Sequence, residues 1–163
     1  MAREKVPRRE QSAEELHLTT AQEAFAALMR DHVGPVLRAR GLRGSAGTYV
    51  VPAKDHWASV GFQRSVHSDR SAVAFTVNLT VASKHAWAEM RTRLPYLPGR
   101  PAPNTIYGAS IWQHRIGRLL PSGEDMWWTV GPKTNLSSLA ASVVGAIETY
   151  ALPAIRSRLG EEG

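Results

Sequence analysis

Val73-Ala74-Phe75-Thr76-Val77-Asn78-Leu79-Thr80-Val81-Ala82 is the stretch whose reading decides the fold. Val73, Phe75, Val77, Leu79 and Val81 alternate with Ala74, Thr76, Asn78 and Thr80. That is the period of a strand, because successive side chains there point to opposite faces. One face is wholly apolar and the other small and polar. A strand covered on both faces in a parallel sheet reads instead as an unbroken apolar run, so the alternation predicts an antiparallel sheet.

Working outward, residues 57–65 predict the neighbouring strand, with Val60 and Phe62 on one face and Ser59, Gly61 and Gln63 on the other. Tyr49 and Val51 begin a short strand before it, and residues 52–55 supply a turn. Downstream, residues 83–94 predict a short helix directing Trp87, Met90 and Leu94 inward. Pro95, Pro98, Gly99, Pro101 and Pro103 then rule out a regular period. Strand structure is expected again over 107–120 and 126–130, separated by Pro121-Ser122-Gly123.

Helices are expected at both ends of the sheet. Thr20 and Glu23 form a capping box, after which Phe25, Leu28, Met29, His32, Val33, Val36 and Leu37 recur at helical spacing. Pro35, lacking an amide hydrogen, is expected to kink or divide this helix after Gly34. Gly41 suits a left-handed C-terminal cap. Asn135 or Thr134 opens a long last helix whose apolar face is Leu136, Leu139, Ala140, Val143, Ile147 and Tyr150, with Pro153 bending it before Ile155 and Leu159. The result is an α+β fold: a mainly antiparallel sheet flanked by an N-terminal helix and a long C-terminal helix. Residues 1–19 read as a polar leader, 20–160 as a single domain and 161–163 as a tail.

The phrases that carry a family resemblance are Pro35-Val36-Leu37 with Arg40-Gly41-Leu42, Phe62-Gln63-Arg64-Ser65, Phe75-Thr76-Val77-Asn78-Leu79, Arg115-Ile116-Gly117-Arg118-Leu119, and Trp127-Trp128. In this order and separation, over residues 24–159, the chain resembles the family described as domain of unknown function 4304 (DUF4304). Gly41-Leu42 stands where that family usually has Gly-Phe. The resemblance implies the fold and leaves the function open.

Composition narrows the function classes. The chain has 163 residues, enough for one sizeable core, and no cysteine. That removes disulfides, thiol nucleophiles, iron–sulfur clusters and cysteine-containing zinc sites. No uninterrupted run of 18 apolar residues and no signal-peptide pattern occurs, so no membrane partner and a cytoplasmic location are expected. The formal charge is +6, from 20 Lys and Arg against 14 Asp and Glu. Its clusters are Arg3, Lys5, Arg8 and Arg9; Arg38, Arg40 and Arg43; and Arg91, Arg93 and Arg100. Such charge can steer an anionic partner or simply coat a solvated surface.

No complete catalytic or metal-binding arrangement stands out. Asp55-His56, His67-Ser68-Asp69 and Glu124-Asp125 fall in turns, and neither His-x-x-x-His nor His-Glu-x-x-His occurs. No catalytic residue, metal ligand or cofactor is therefore assigned. The polar residues best suited to recognition are Gln63 and Asn78, whose amides offer both donor and acceptor on the two central strands. Arg115, with Arg118 as a further anion-binding candidate, supplies a guanidinium that can hold carboxylate or phosphate. Trp127 and Trp128 face opposite sides of a regular strand, and Trp128 is placed at the edge of this surface. The sequence thus favours a noncatalytic module recognising a protein or a small polar or anionic ligand. A small hydrolase or transferase with an unfamiliar site is the alternative, and weak association with nucleic acid ranks below both. The oligomeric state is left open.

Overall fold

The computed structural model describes residues 20–160. The expectations for the leader and the tail lie outside those residues. The first helix, α1, spans 21–39 and begins where Thr20 accepts a hydrogen bond from the Glu23 amide. The strands that follow are β1 (Arg43–Ser45), β2 (Thr48–Val51), β3 (His56–Arg64) and β4 (Val73–Ser83). Helix α2 (Lys84–Arg93), β5 (Trp112–Arg115), β6 (Trp128–Val130) and helix α3 (Leu136–Arg158) complete the chain. All six strands form one antiparallel sheet in the order β1-β2-β3-β4-β5, with β6 also on β4. This is the α+β architecture read from the sequence.

β1 was not foreseen. It exists because Ala46 (φ 54) and Gly47 (φ 95) make a two-residue turn with both central residues left-handed. That is the turn whose twist matches a β-hairpin, and Ala in its first position hides it from a sequence reading.

The apolar face of β4 became the core. Val73, Phe75, Val77 and Leu79 are wholly buried, under Phe25, Leu28 and Val33 of α1 and Val143, Ile147 and Ile155 of α3. Phe75 is the aromatic hub, with ring centroids 5.2 Å from Phe25, 6.3 Å from Phe62 and 5.9 Å from Trp128. Arg64, at the end of β3, escapes burial by lying over the Phe25 ring, 5.6 Å from its centroid. Helix α3 is long and apolar enough to cross a membrane by length and composition. Ser137, Ser138, Ser142, Glu148 and Thr149 interrupt that stretch, which is why a search for an uninterrupted apolar run passes over it. Here its apolar face covers the sheet.

Both prolines are accommodated without a break. The residues before them form π-helical turns, Leu28–Val33 before Pro35 and Ile147–Ala151 before Pro153. The Gly34 amide donates to Met29 O and the Leu152 amide to Ile147 O, each five residues back. A proline ring in a regular helix collides with the carbonyl four residues earlier, and the wider turn removes that conflict. A Cβ on Gly34 would lie 2.7 Å from Met29 O, so the first turn also requires glycine. The expected division after Gly34 is thus a change of helical pitch, and Val36, assigned to the apolar stripe, is exposed.

The outer face differs most from expectation. Ser59, Thr76 and Thr80 alternate as predicted, yet they are buried. A smaller apolar cluster of Ala82, Trp87, Leu97 and Ile111 covers one end of this face, joined by Trp57, Met90 and Tyr107. Trp87 Nε1 donates to Pro98 O at 3.0 Å, and Arg91 Nε donates to Leu97 O at 3.3 Å, tying the proline-rich chain to α2. Leu94, expected inward, is 38% exposed because the helix ends at Arg93 and the chain turns away. The expected strand over 107–120 shrinks to β5, since Ile116–Leu119 winds into a 3-10 turn.

Candidate functional site

β5 and β6 share one edge of β4. β5 pairs Asn78 to Val81 with Arg115 to Trp112, while β6 pairs Val73 to Phe75 with Val130 to Trp128. Between them the chain leaves the sheet through the 3-10 turn and returns at Met126. Thr76 sits opposite this gap, and its hydroxyl donates to Met126 O at 2.6 Å. Where the roof of proline-rich chain ends and this excursion begins, the outer face opens into a cleft of about 470 Å³.

Register places the floor. Asn78 lies opposite Gly61 on β3 and opposite Arg115 on β5, so Asn78 and Arg115 share the outer face. Gln63, two residues beyond Gly61, joins them, and all three line the cleft. Asn78 Nδ2 donates both to Gln63 Oε1 at 2.7 Å and to Asn104 Oδ1 at 2.9 Å. Asn104 Nδ2 in turn donates to Phe62 O at 3.2 Å. The roof bears on Gly61, where an added Cβ would come within 2.6 Å of Pro103. Gln113 holds the same loop, donating to Thr105 O at 2.6 Å and accepting from the Tyr107 amide at 2.9 Å.

The opposite wall is charged. Arg115 Nη1 pairs with Asp125 Oδ2 at 3.0 Å, and Trp127 Nε1 donates to the same oxygen at 2.8 Å. Arg115 also lies 5.1 Å from the centroid of the Trp127 ring, close enough for a cation–π contact. The Trp127 hydrogen bond, with the positive charges of Arg115 and Arg118, holds the Asp125 carboxyl below the usual carboxylate range. Arg118 lines the cleft from the 3-10 turn and has no ion-pair partner among the described residues.

Gln63, Asn78, Arg115 and Arg118 therefore come together. Trp128 does not: it pairs opposite Phe75, stacks on that ring and donates from Nε1 to Ser142 Oγ of α3 at 3.2 Å. Its neighbour Trp127 takes the outer position. Asn104, Gln113 and Asp125 were missed as members of the cleft. Asn104 lies in a loop without period, and Asp125 reads as part of a hydrated turn. Gln113 alone was within reach, since it alternates with Arg115 on the same strand. Asp69 spends its carboxylate on its own turn, accepting from the Ser71 amide and hydroxyl and the Ala72 amide. No group of three or more His, Asp or Glu residues able to hold a metal occurs among the described residues.

The fold and cleft define a small α+β domain whose sheet carries its two long helices on one face and, on the other, the short helix α2 beside a polar cleft. The model for the domain of unknown function DUF4304 matches residues 33–157, and the chain belongs to that family. No curated protein and no solved structure gives a significant match.

Proposed function

We propose that this protein is a noncatalytic recognition module whose outer-face cleft takes a small polar ligand carrying an anionic group. The observation that carries this reading is the meeting of Gln63, Asn78 and Arg115, from three strands, with Arg118 in one open cleft. A volume of this order suits a small molecule, and a few convergent polar groups are what fixes a ligand's orientation. Rigid strands hold the amides and Arg115, so little ordering has to accompany binding.

The test is a titration of the labelled protein, followed by the side-chain amide signals of Gln63, Asn78 and Asn104. The panel comprises N-acyl amino acids, dicarboxylates, inorganic phosphate and nucleoside monophosphates. A genuine ligand is expected to weaken by about 1–3 kcal/mol in Asn78→Leu or Arg115→Met, the usual scale for a lost charged or buried hydrogen bond. Unchanged affinity in both folded variants, or a panel that leaves these signals still, overturns the proposal.

A further inference from the structure

We propose that the ligand is an amide that also carries a carboxylate, as in an N-acyl amino acid or the C-terminal residue of a peptide. This rests on reading the cleft as a ligand site, and it follows from the polar atoms that the fold leaves over. Asn78 spends both Nδ2 hydrogens on Gln63 and Asn104. Its Oδ1 remains an acceptor with no partner among the described residues. Gln63 Oε1 is occupied by that same bond, while Gln63 Nε2 keeps its hydrogens. Adjacent carboxamides thus present one acceptor and one donor, the complement of the N–H and C=O of a secondary amide. Gln113 adds nothing to this edge, since both ends of its amide are committed to the loop.

Charge supplies the second half. Among the cleft residues, Arg115 and Asp125 pair with one another, which leaves the Arg118 guanidinium without a salt-bridge partner of its own. One carboxylate balances it, and a guanidinium takes a carboxylate through paired donors. A phosphate ester satisfies Arg118 but leaves the amide edge unmatched. A dicarboxylate brings a second negative charge towards Asp125. Ile106, at the rim and 90% exposed, offers apolar contact to an acyl group or side chain.

The probe is N-acetyl-L-leucine, titrated into the full-length labelled protein and read on the side-chain signals of Gln63, Asn78 and Arg118. N-acetyl-L-leucinamide removes the carboxylate and 4-methylpentanoate removes the amide. Acetyl-Gly-Gly-Gly-Leu, with a free or amidated end, separates a peptide C-terminus from a free acylamino acid. Saturable binding of N-acetyl-L-leucine, of the free-ended peptide, or of both supports the proposal, provided each chemical deletion weakens it. Arg118→Met is expected to weaken binding about tenfold, the scale of one charge-assisted hydrogen bond, and Gln63→Met about threefold to tenfold, the scale of one neutral hydrogen bond. An amidated compound binding as tightly as its acid, or no saturable shift with any carboxylate-terminated amide, overturns it. If phosphate or a dicarboxylate instead moves the same signals, and Asn78→Leu abolishes the effect, the cleft stands as a ligand site and its chemistry is wrong. Silence across both panels overturns the site as well.

Discussion

Gly61→Ala tests whether the roof over the sheet is built on contact or merely rests there. The new methyl carbon would lie 2.6 Å from Pro103 Cβ and Cγ and 2.9 Å from Asn104 Oδ1. A proline ring cannot swing aside as a flexible chain end does, so the loop itself has to lift. Overpacking of this kind costs about 1–3 kcal/mol. Restricting the unfolded chain returns roughly 0.4–1 kcal/mol, since Gly61 is not in the positive-φ region. The net expectation is a loss of about 0.5–2 kcal/mol, which for a domain near 150 residues lowers Tm by roughly 1–8 °C. Gly145→Ala is the control: nothing lies within 4 Å of a Cβ there, and α3 gains helix propensity, so stability rises by about 0.5–1 kcal/mol. Denaturant unfolding measures both, and the side-chain amide spectrum reports whether Asn104 has left Asn78. Unchanged or higher stability in Gly61→Ala, with the Asn104 signals unmoved, would refute the contact.

Four further outcomes are expected. Ile147→Asp, placing a carboxylate where the side chain is wholly buried, is expected to remove most of the cooperative transition in thermal unfolding. Ser142→Ala, which only deprives Trp128 Nε1 of its partner, costs about 1 kcal/mol by the same measurement. Asp125 has a folded-state pKa below its unfolded value, so its stabilising contribution is present above the ordinary carboxylate range and is lost as pH falls through the folded pKa. The stability difference between the wild type and Asp125→Asn should therefore narrow on acidification, and a gap that widens below about pH 4 would contradict the assigned direction. Trp87→Phe removes the hydrogen bond to Pro98 and part of the outer cluster, for about 1–3 kcal/mol, and amide exchange in residues 97–107 should quicken.

The alternation in β4 was legible because period two leaves only one arrangement that buries Val73 through Val81 together. It carried Gln63, Asn78 and Arg115 with it, since the same period sends all three to the opposite face. What local pattern could not say was that chain without periodicity, the proline-rich roof and the excursion that returns at Met126, would cover this face and leave Ser59, Thr76 and Thr80 buried. The roof depends on distant partners, such as Trp87 with Pro98 and Asn104 with Phe62, and no spacing rule links these residues. Trp127 and Trp128 were correctly assigned to opposite faces. Which of them went inward was decided by pairing with Phe75, a matter of register that neither tryptophan announces. The helix prolines were recognised as disruptions, and their remedy, a π turn in each case, depends on hydrogen bonds that the residue types do not name.

The sharing of one edge of β4 between two short strands bears on how this scaffold can be remodelled. Each strand is anchored by its own ladder and Leu119 packs on the core, so the turn between them can be exchanged at residues 121–125 without altering the register on either side. Changing its length adds little closure entropy, because that cost grows only with the logarithm of loop size. The cleft is therefore bounded by two replaceable segments, this one and residues 103–106, standing on a floor fixed by the sheet. A combinatorial library confined to those positions would vary what is recognised while leaving the folding determinants in β3, β4 and the two long helices untouched.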